Sequence, residues 1–102
     1  MIFHVTRIDK PEAEEQRKEV RASHLEWAKG RLDRIKLAAN LLEDDHSSSP
    51  GSILIIEGTT KEALLKEMNE DPYVLAGIVK SIEINAVRCG IGEWLPDEMK
   101  LF

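Results

Sequence analysis

Several features are scarce in this chain, and each scarcity excludes a class of protein. The single cysteine, Cys89, has no second cysteine with which to form an internal disulfide or a CxxC site. A lone thiol is typical of the reducing cytoplasm, where we expect the protein to act. No run approaches the ~18 apolar residues of a membrane span, and the start, MIFHVTRIDK, lacks the pattern of a secretory signal. We therefore expect no membrane association.

Positive charge and aromatic side chains are scarce as well. Lys and Arg total 14 against 19 Asp and Glu, which gives a net charge of −5, and aromatic residues make up 5% of the chain. Nucleic-acid binding depends on clustered basic residues and, for single strands, on aromatic side chains that stack on bases. An RNA-recognition module would need such aromatics on its third strand, where this chain reads SILIIE. The sequence therefore predicts no nucleic-acid partner.

What the chain does have is enough apolar material for one globular domain, which we place at residues 1–102. No internal repeat or long linker divides it. Hydrophobic periodicity predicts alternating strands and helices in the order βαββαβ. The predicted elements lie at about residues 1–8, 12–29, 32–42, 52–57, 61–70 and 78–88.

This order predicts a ferredoxin-like α+β sandwich, in which four antiparallel strands carry both helices on one face. The opposite face keeps apolar residues, for example on the first and last strands, and such a face needs a cover. A second copy of the chain would provide one, so we expect a homodimer packed sheet to sheet as an α+β barrel. The tail, residues 89–102, is apolar enough to pack on the partner subunit.

The first helix carries charge on the face that should meet the sheet. At about 100° per residue, Arg17, Arg21 and His24 form one narrow stripe. Burying these groups without partners is costly, so they need acids, a wet cleft or a ligand. Either the arginines reach to the edge of the interface beside a structural histidine, or the stripe lines a pocket. The apolar residues that flank the stripe are Val20, Leu25 and Trp27.

Asp71 is an acid that could pair with the charged residues of this stripe. It precedes Pro72, and an Asp-Pro pair is a good helix N-cap followed by proline at the first helical position. That structural role explains the dipeptide by itself. A carboxylate can also hold an imidazole in one tautomer and raise its basicity, as in the base dyads of enzymes.

Taken together, RASHLEW, the Gly30 that follows the helix, ANLLEDD, PGSILIIEG and NEDPYVLAGI resemble the YciI-like (YCII-related) family. The resemblance extends from the first strand to the end of the last. It implies a ferredoxin-like homodimer related to the dimeric α/β barrels, with a cleft whose His and Asp correspond to His24 and Asp71. Some members are dehydrochlorinases of chlorinated aromatic breakdown products, and fold relatives include muconolactone isomerases. The implied chemistry is proton abstraction next to a carbonyl or enol, without a cofactor.

These observations predict a small cofactor-independent lyase or isomerase that acts on an anionic or aromatic-derived metabolite. His24 would be the general base and Asp71 would orient it. The predicted substrate-binding residues are Arg17, Arg21, Asn40 and Tyr73. The arginines would hold an anionic group through bidentate hydrogen bonds. The alternative is a non-catalytic homodimer that binds a small molecule in the same cleft.

Asn40 belongs to a departure from the family pattern, since Ala38-Ala39-Asn40 stands where members often read Ala-Gly-Pro. Its polar group could point into the cleft.

Three other features are weaker candidates. The loop EDDHSSSPGS offers Asp44, Asp45 and His46 to a divalent metal, but adjacent ligands on a flexible loop favour a solvated turn, so we predict no metal site. His4 is a sheet-face residue that could line the same cleft. Cys89 is either a buried small hydrophobe or a reactive thiol.

Overall fold

A computed structural model describes residues 1–101, so Phe102 of the predicted domain and tail lies outside the described residues. The elements are β1 (Ile2–Asp9), α1 (Glu14–Lys29), β2 (Ile35–Leu41), β3 (Gly51–Glu57), α2 (Lys61–Met68), α3 (Pro72–Leu75), β4 (Val79–Val87) and a 3-10 turn at Asp97–Met99. The short α3 is the helical turn built by the DPYVLAG segment.

The four strands form one antiparallel sheet in the order β2-β3-β1-β4. The helical segments follow β1 and β3, as in a βαββαβ unit. The predicted ferredoxin-like α+β fold is therefore confirmed, whereas sheet-to-sheet dimerisation stays a prediction. Among residues 1–101, no helix has the length and apolar character needed to cross a membrane.

Strand β1 divides its side chains between the two faces of the sheet. Phe3, Val5 and Arg7 are buried on the helix side, and they alternate with partly exposed neighbours. Phe3 and Val5 belong to the main apolar core, in which the buried residues are Phe3, Val5, Ile56, Leu64, Met68 and Ile84. Arg7 continues the same alternation, so its guanidinium lies on the helix side of the sheet, at the end of this core.

The predicted inward stripe of α1 is rotated in the structure. Val20 packs against a cluster that includes Tyr73, and Trp27 packs against the main core. These two contacts centre the buried face on the Val20 side of the predicted stripe, so Arg21 on the other side is exposed. The prediction that Arg21 lies on the inward face is therefore wrong. Leu25, which was expected to flank the stripe, is also exposed.

Strand β2 begins at Ile35 rather than near residue 32, and an irregularity between Ile35 and Leu37 changes its facing. Ile35 pairs with Ile56 and packs on the core, whereas Leu37 pairs with Ile55 on the opposite face. The alternation in the sequence predicts one common face for Ile35, Leu37, Ala39 and Leu41, and this prediction is therefore wrong for Ile35. The same shift puts Asn40, opposite Ser52, on the helix side of the sheet.

On the face of the sheet away from the helices, β2 and β3 are apolar and are partly crossed by the tail. Strand β4 instead turns Ser81, Glu83 and Asn85 to this face, because Ile82 and Ile84 lie on the helix side. The expected apolar surface on the last strand is therefore limited to its end at Val87. A groove of about 680 Å³ lies between the tail and the β2–β3 part of this face. Its apolar lining includes Leu37, Ile55, Ile91, Trp94 and Leu95. His4 alternates with the buried Phe3 and Val5, so it lies on this face and not beside His24.

Candidate active site

Asp71 is the centre of a buried polar cluster and is 0% exposed. Its Oδ2 accepts a hydrogen bond from Nη1 of Arg7 at 2.6 Å. Its Oδ1 lies 2.8 Å from Nδ1 of His24 and accepts the backbone N–H of Tyr73 at 3.0 Å. One carboxylate thus joins β1, α1 and α3 in a single network.

Local structure explains how these residues meet. Asp71 is the N-cap of α3, and Pro72 occupies the first turn, as the Asp-Pro pair predicts. The α3 turn packs on α1, which brings the cap to the middle of α1, where His24 lies. Residues that are 47 positions apart in sequence are therefore in hydrogen-bond contact.

The charge state of Asp71 follows from its surroundings. Burial raises the pKa of the Asp71 carboxyl, but the His24 hydrogen bond, the Arg7 charge and the Tyr73 N–H outweigh burial. Together they lower the pKa below its ordinary value, so the group is ionised at neutral pH. An ionised carboxylate only accepts hydrogen bonds, and therefore Nδ1 of His24 carries a hydrogen in this contact.

The His24 ring is held in one plane by aromatic neighbours. It stacks on Tyr73 with 3.9 Å between ring centroids and an interplanar angle of 13°. Trp27 stacks more loosely, with centroids 6.2 Å apart. With Nδ1 on Asp71 and the ring stacked on Tyr73, Nε2 is the nitrogen left for chemistry.

A cavity of about 250 Å³ lies beside this ring, between α1 and strands β2 and β3. Its polar lining comes from Arg7, Arg17, His24, Asn40 and Ser52. Apolar walls come from Trp27, Ala28, Ile35, Ala38, Ala39, Ile53 and Leu54. The cavity is thus a small mixed pocket in which His24 and amide and hydroxyl groups face a shared space.

Arg17 lies at this cavity but is not free. Its guanidinium donates to the Asp9 carboxylate and lies 4.8 Å from the centroid of the Tyr73 ring. Stacking on an aromatic ring and pairing with an acid both suit arginine. Arg17 therefore closes one side of the cluster and retains donors that can turn toward an anion.

The structure brings most of the predicted site residues together, with three differences. Arg21 is exposed and does not line the cavity. Tyr73 is buried behind His24 and supports the ring instead of lining the cavity. Arg7, which is not among the predicted site residues, is the second partner of Asp71. Its signal was the alternation Phe3, Val5, Arg7, which carries it to the helix side.

The other candidates lie apart from this site. Asp44, Asp45 and His46 form an exposed turn, in which Asp45 accepts the backbone N–H of Ser47 at 3.0 Å. Within residues 1–101, no group of three His, Cys, Asp or Glu side chains is arranged to hold a metal ion. Cys89 is partly exposed at the edge of the tail groove, so it is not the buried small hydrophobe that was one of its two predicted roles.

Comparison with known proteins supports the fold and identifies the family. The fold is shared with the solved structure of 5-chloro-2-hydroxyhydroquinone dehydrochlorinase from Burkholderia phenoliruptrix AC1100 in complex with 2,5-dihydroxybenzoquinone. The TM-score is 0.79 with 23% sequence identity, over 88% of this chain and 96% of the dehydrochlorinase chain. The YCII-related domain model matches residues 1–88, and the chain therefore belongs to the YCII-related family. No curated protein sequence matches the chain.

Proposed function

We propose that the protein is a cofactor-independent lyase or isomerase in which His24 is the general base. The observation that carries this proposal is the contact between Nδ1 of His24 and the buried Asp71, beside a cavity that Nε2 can serve. A base held in one tautomer, with a free nitrogen toward substrate, suits proton abstraction next to a carbonyl or enol.

The proposed elimination is complete without a change of oxidation state. Nε2 of His24 takes a proton from carbon, and the C–H electron pair forms a new double bond as a leaving group departs with its own pair. In a dehydrochlorination the leaving group is chloride. Asp71 stabilises the imidazolium that forms, without itself becoming protonated.

The substrate class is inferred from the cavity and from the neighbouring fold. At about 250 Å³ the cavity is smaller than the usual drug-sized pocket, so it suits a small metabolite. Asn40 and Ser52 can hydrogen-bond ring oxygens, Trp27 offers an apolar wall, and Arg17 offers positive charge. We propose a small anionic or aromatic-derived ligand, of the kind found in the dehydrochlorinase complex. Arg21 has no contact with the cavity and has no part in this proposal.

Replacing His24 with glutamine should lower dehydrochlorination of 5-chloro-2-hydroxyhydroquinone by about 10²–10⁴-fold, because the base is lost. Chloride release measures the rate, and quenching of tryptophan fluorescence measures binding of 2,5-dihydroxybenzoquinone. The matched control is Arg21→Gln on the same helix, which should keep wild-type turnover.

Unchanged turnover in His24→Gln would show that His24 is not the base. A wild-type protein that binds the quinone but releases no chloride would favour the non-catalytic binding protein instead, with the same cavity as its site.

We propose further that the protein is a cytoplasmic homodimer joined through the apolar face of the sheet. This face holds Leu37 and Ile55, and the tail beside it exposes Ile91 and Trp94 at 79% and 82%. Monomers rarely expose a contiguous apolar patch of this kind, and a second copy would cover both strands and tail.

Sedimentation equilibrium should give twice the 11.6 kDa chain mass for the wild type. Ile55→Lys should give the single-chain mass, since a charge in the proposed interface is costly to bury. The control is Leu75→Lys, because Leu75 is 73% exposed on α3, away from this face. A wild type that sediments at 11.6 kDa would refute the dimer.

A further inference from the structure

We propose that Arg7 is a positioning residue that keeps His24 in the form of a base. By balancing the charge of Asp71, Arg7 allows the imidazole to stay neutral, with its hydrogen on Nδ1 and a lone pair on Nε2. This inference rests on the proposed function, in which a neutral His24 takes the substrate proton.

The first support is geometric. Arg7 is 8% exposed, and its Nη1 lies 2.6 Å from Oδ2 of Asp71. The remaining partners approach from other sides, with His24 at 2.8 and 3.0 Å from the two oxygens and the Tyr73 N–H on Oδ1. The carboxylate is held by three elements and cannot turn away from the ring.

The second support is the balance of charge. A buried carboxylate without a counter-charge would be stabilised by a protonated neighbour, and His24 is the titratable neighbour in contact with it. An imidazolium has no lone pair for a substrate proton. Because Arg7 already supplies the positive charge, protonating His24 in the substrate-free site would give the cluster a net positive charge.

The surrounding groups do not change this balance. On α1, Arg17 faces the cluster but is paired with Asp9, so the two charges cancel. On α3, Tyr73 contributes an aromatic face and a backbone N–H. The charges of Arg7 and Arg17 are therefore balanced by those of Asp71 and Asp9, and the cluster is neutral when the His24 ring is neutral.

An alternative is that Arg7 and Asp71 form an ion pair of structural value only. In that case removing Arg7 would lower stability and leave the His24 ring as it was. The two alternatives differ in the state of the ring nitrogens, which ¹⁵N NMR of the folded protein reads directly.

The test records the ring ¹⁵N signals of His24 at pH 7, with His4 and His46 in the same spectrum as internal references. The wild type should show a protonated Nδ1 and an unprotonated Nε2. Arg7→Gln should lose the unprotonated Nε2 signal, because the ring now carries the charge that balances Asp71. Arg7→Lys should retain that signal, and Arg21→Gln should match the wild type.

A folded Arg7→Gln variant that keeps the wild-type ring signals would overturn the inference. If that variant does not fold, the wild-type spectrum decides, because an imidazolium or a hydrogen on Nε2 would contradict the proposal. The spectrum needs no substrate. The inference can therefore fail while His24→Gln still abolishes turnover, and it can hold while the protein proves inactive on the substrate tested.

Discussion

Replacing Asp71 with asparagine is expected to lower the free energy of unfolding by about 3–5 kcal/mol, the cost of leaving a buried cation without its partner. Arg7 is almost fully buried, and Asp71 is its ion-pair partner in the structure. Asparagine keeps the size of the side chain and is a good N-cap, so the α3 cap and the cavity walls are preserved. The change therefore isolates the charge, and urea unfolding at pH 7 measures it.

The effect should depend on pH in a direction that the structure fixes. The pKa of Asp71 is lowered in the folded protein, so its contribution is fully present above the unfolded pKa of about 3.9 and is lost as the pH falls through the folded pKa. The wild type and Asp71→Asn should therefore differ by a constant amount above about pH 5 and converge in acid.

Two variants make this measurement specific. Asp97 forms an exposed i, i+3 pair with Lys100, so Asp97→Asn should leave the unfolding midpoint unchanged. Combining Arg7→Met with Asp71→Asn removes both charges and should recover part of the loss, because no unpaired cation remains. A stability difference that does not begin to shrink as the pH falls below the unfolded pKa of about 3.9 would contradict the assignment to the Asp71 charge.

The fold could be predicted from the sequence because the hydrophobic periodicity and the capping residues of each element are local signals. The alternation in β1 and the Asp71-Pro72 cap depend on neighbours in the chain and were read correctly. The irregularity in β2 depends on pairing with β3, which no local pattern reveals. As a result, the alternation predicts a common face for Ile35 and Leu37 that the structure does not have, whereas Asn40 lies on the helix side beside the cavity.

The site was harder to predict for the same reason. His24 and Asp71 could be predicted as site residues from the sequence. The helical periodicity alone could not show which residue of α1 lies at the centre of its buried face. Trp27 packs on the core and sets that rotation, which turns Arg21 to solvent. Arg7 could not be predicted as a site residue because a charged side chain on a strand is normally exposed. Its buried partner, Asp71, is 64 positions away in the sequence.

The fold and the site are joined at the first residue of β3, where the second large effect is expected. Gly51 is buried and pairs with Ile8, the neighbour of Arg7 on β1. A Cβ at position 51 would overlap the carbonyl oxygen of Arg7 and lie 3.1 Å from its carbonyl carbon. These are backbone atoms of a paired strand, so no side-chain rotation can relieve the overlap.

Gly51→Ala should therefore lower the free energy of unfolding by about 3 kcal/mol, at the upper end of the cost of overpacking. Thermal unfolding should show a fall in Tm of more than about 10 °C for a domain of this size. The matched control is Gly30→Ala, where φ is −68° and the nearest atom to a new Cβ is 3.6 Å away. That change should be neutral or stabilising by up to about 1 kcal/mol. Equal midpoints for the two variants would show that β1 can move away from β3 at Arg7, and the rigidity on which the Asp71 cluster depends would then have to come from the helices.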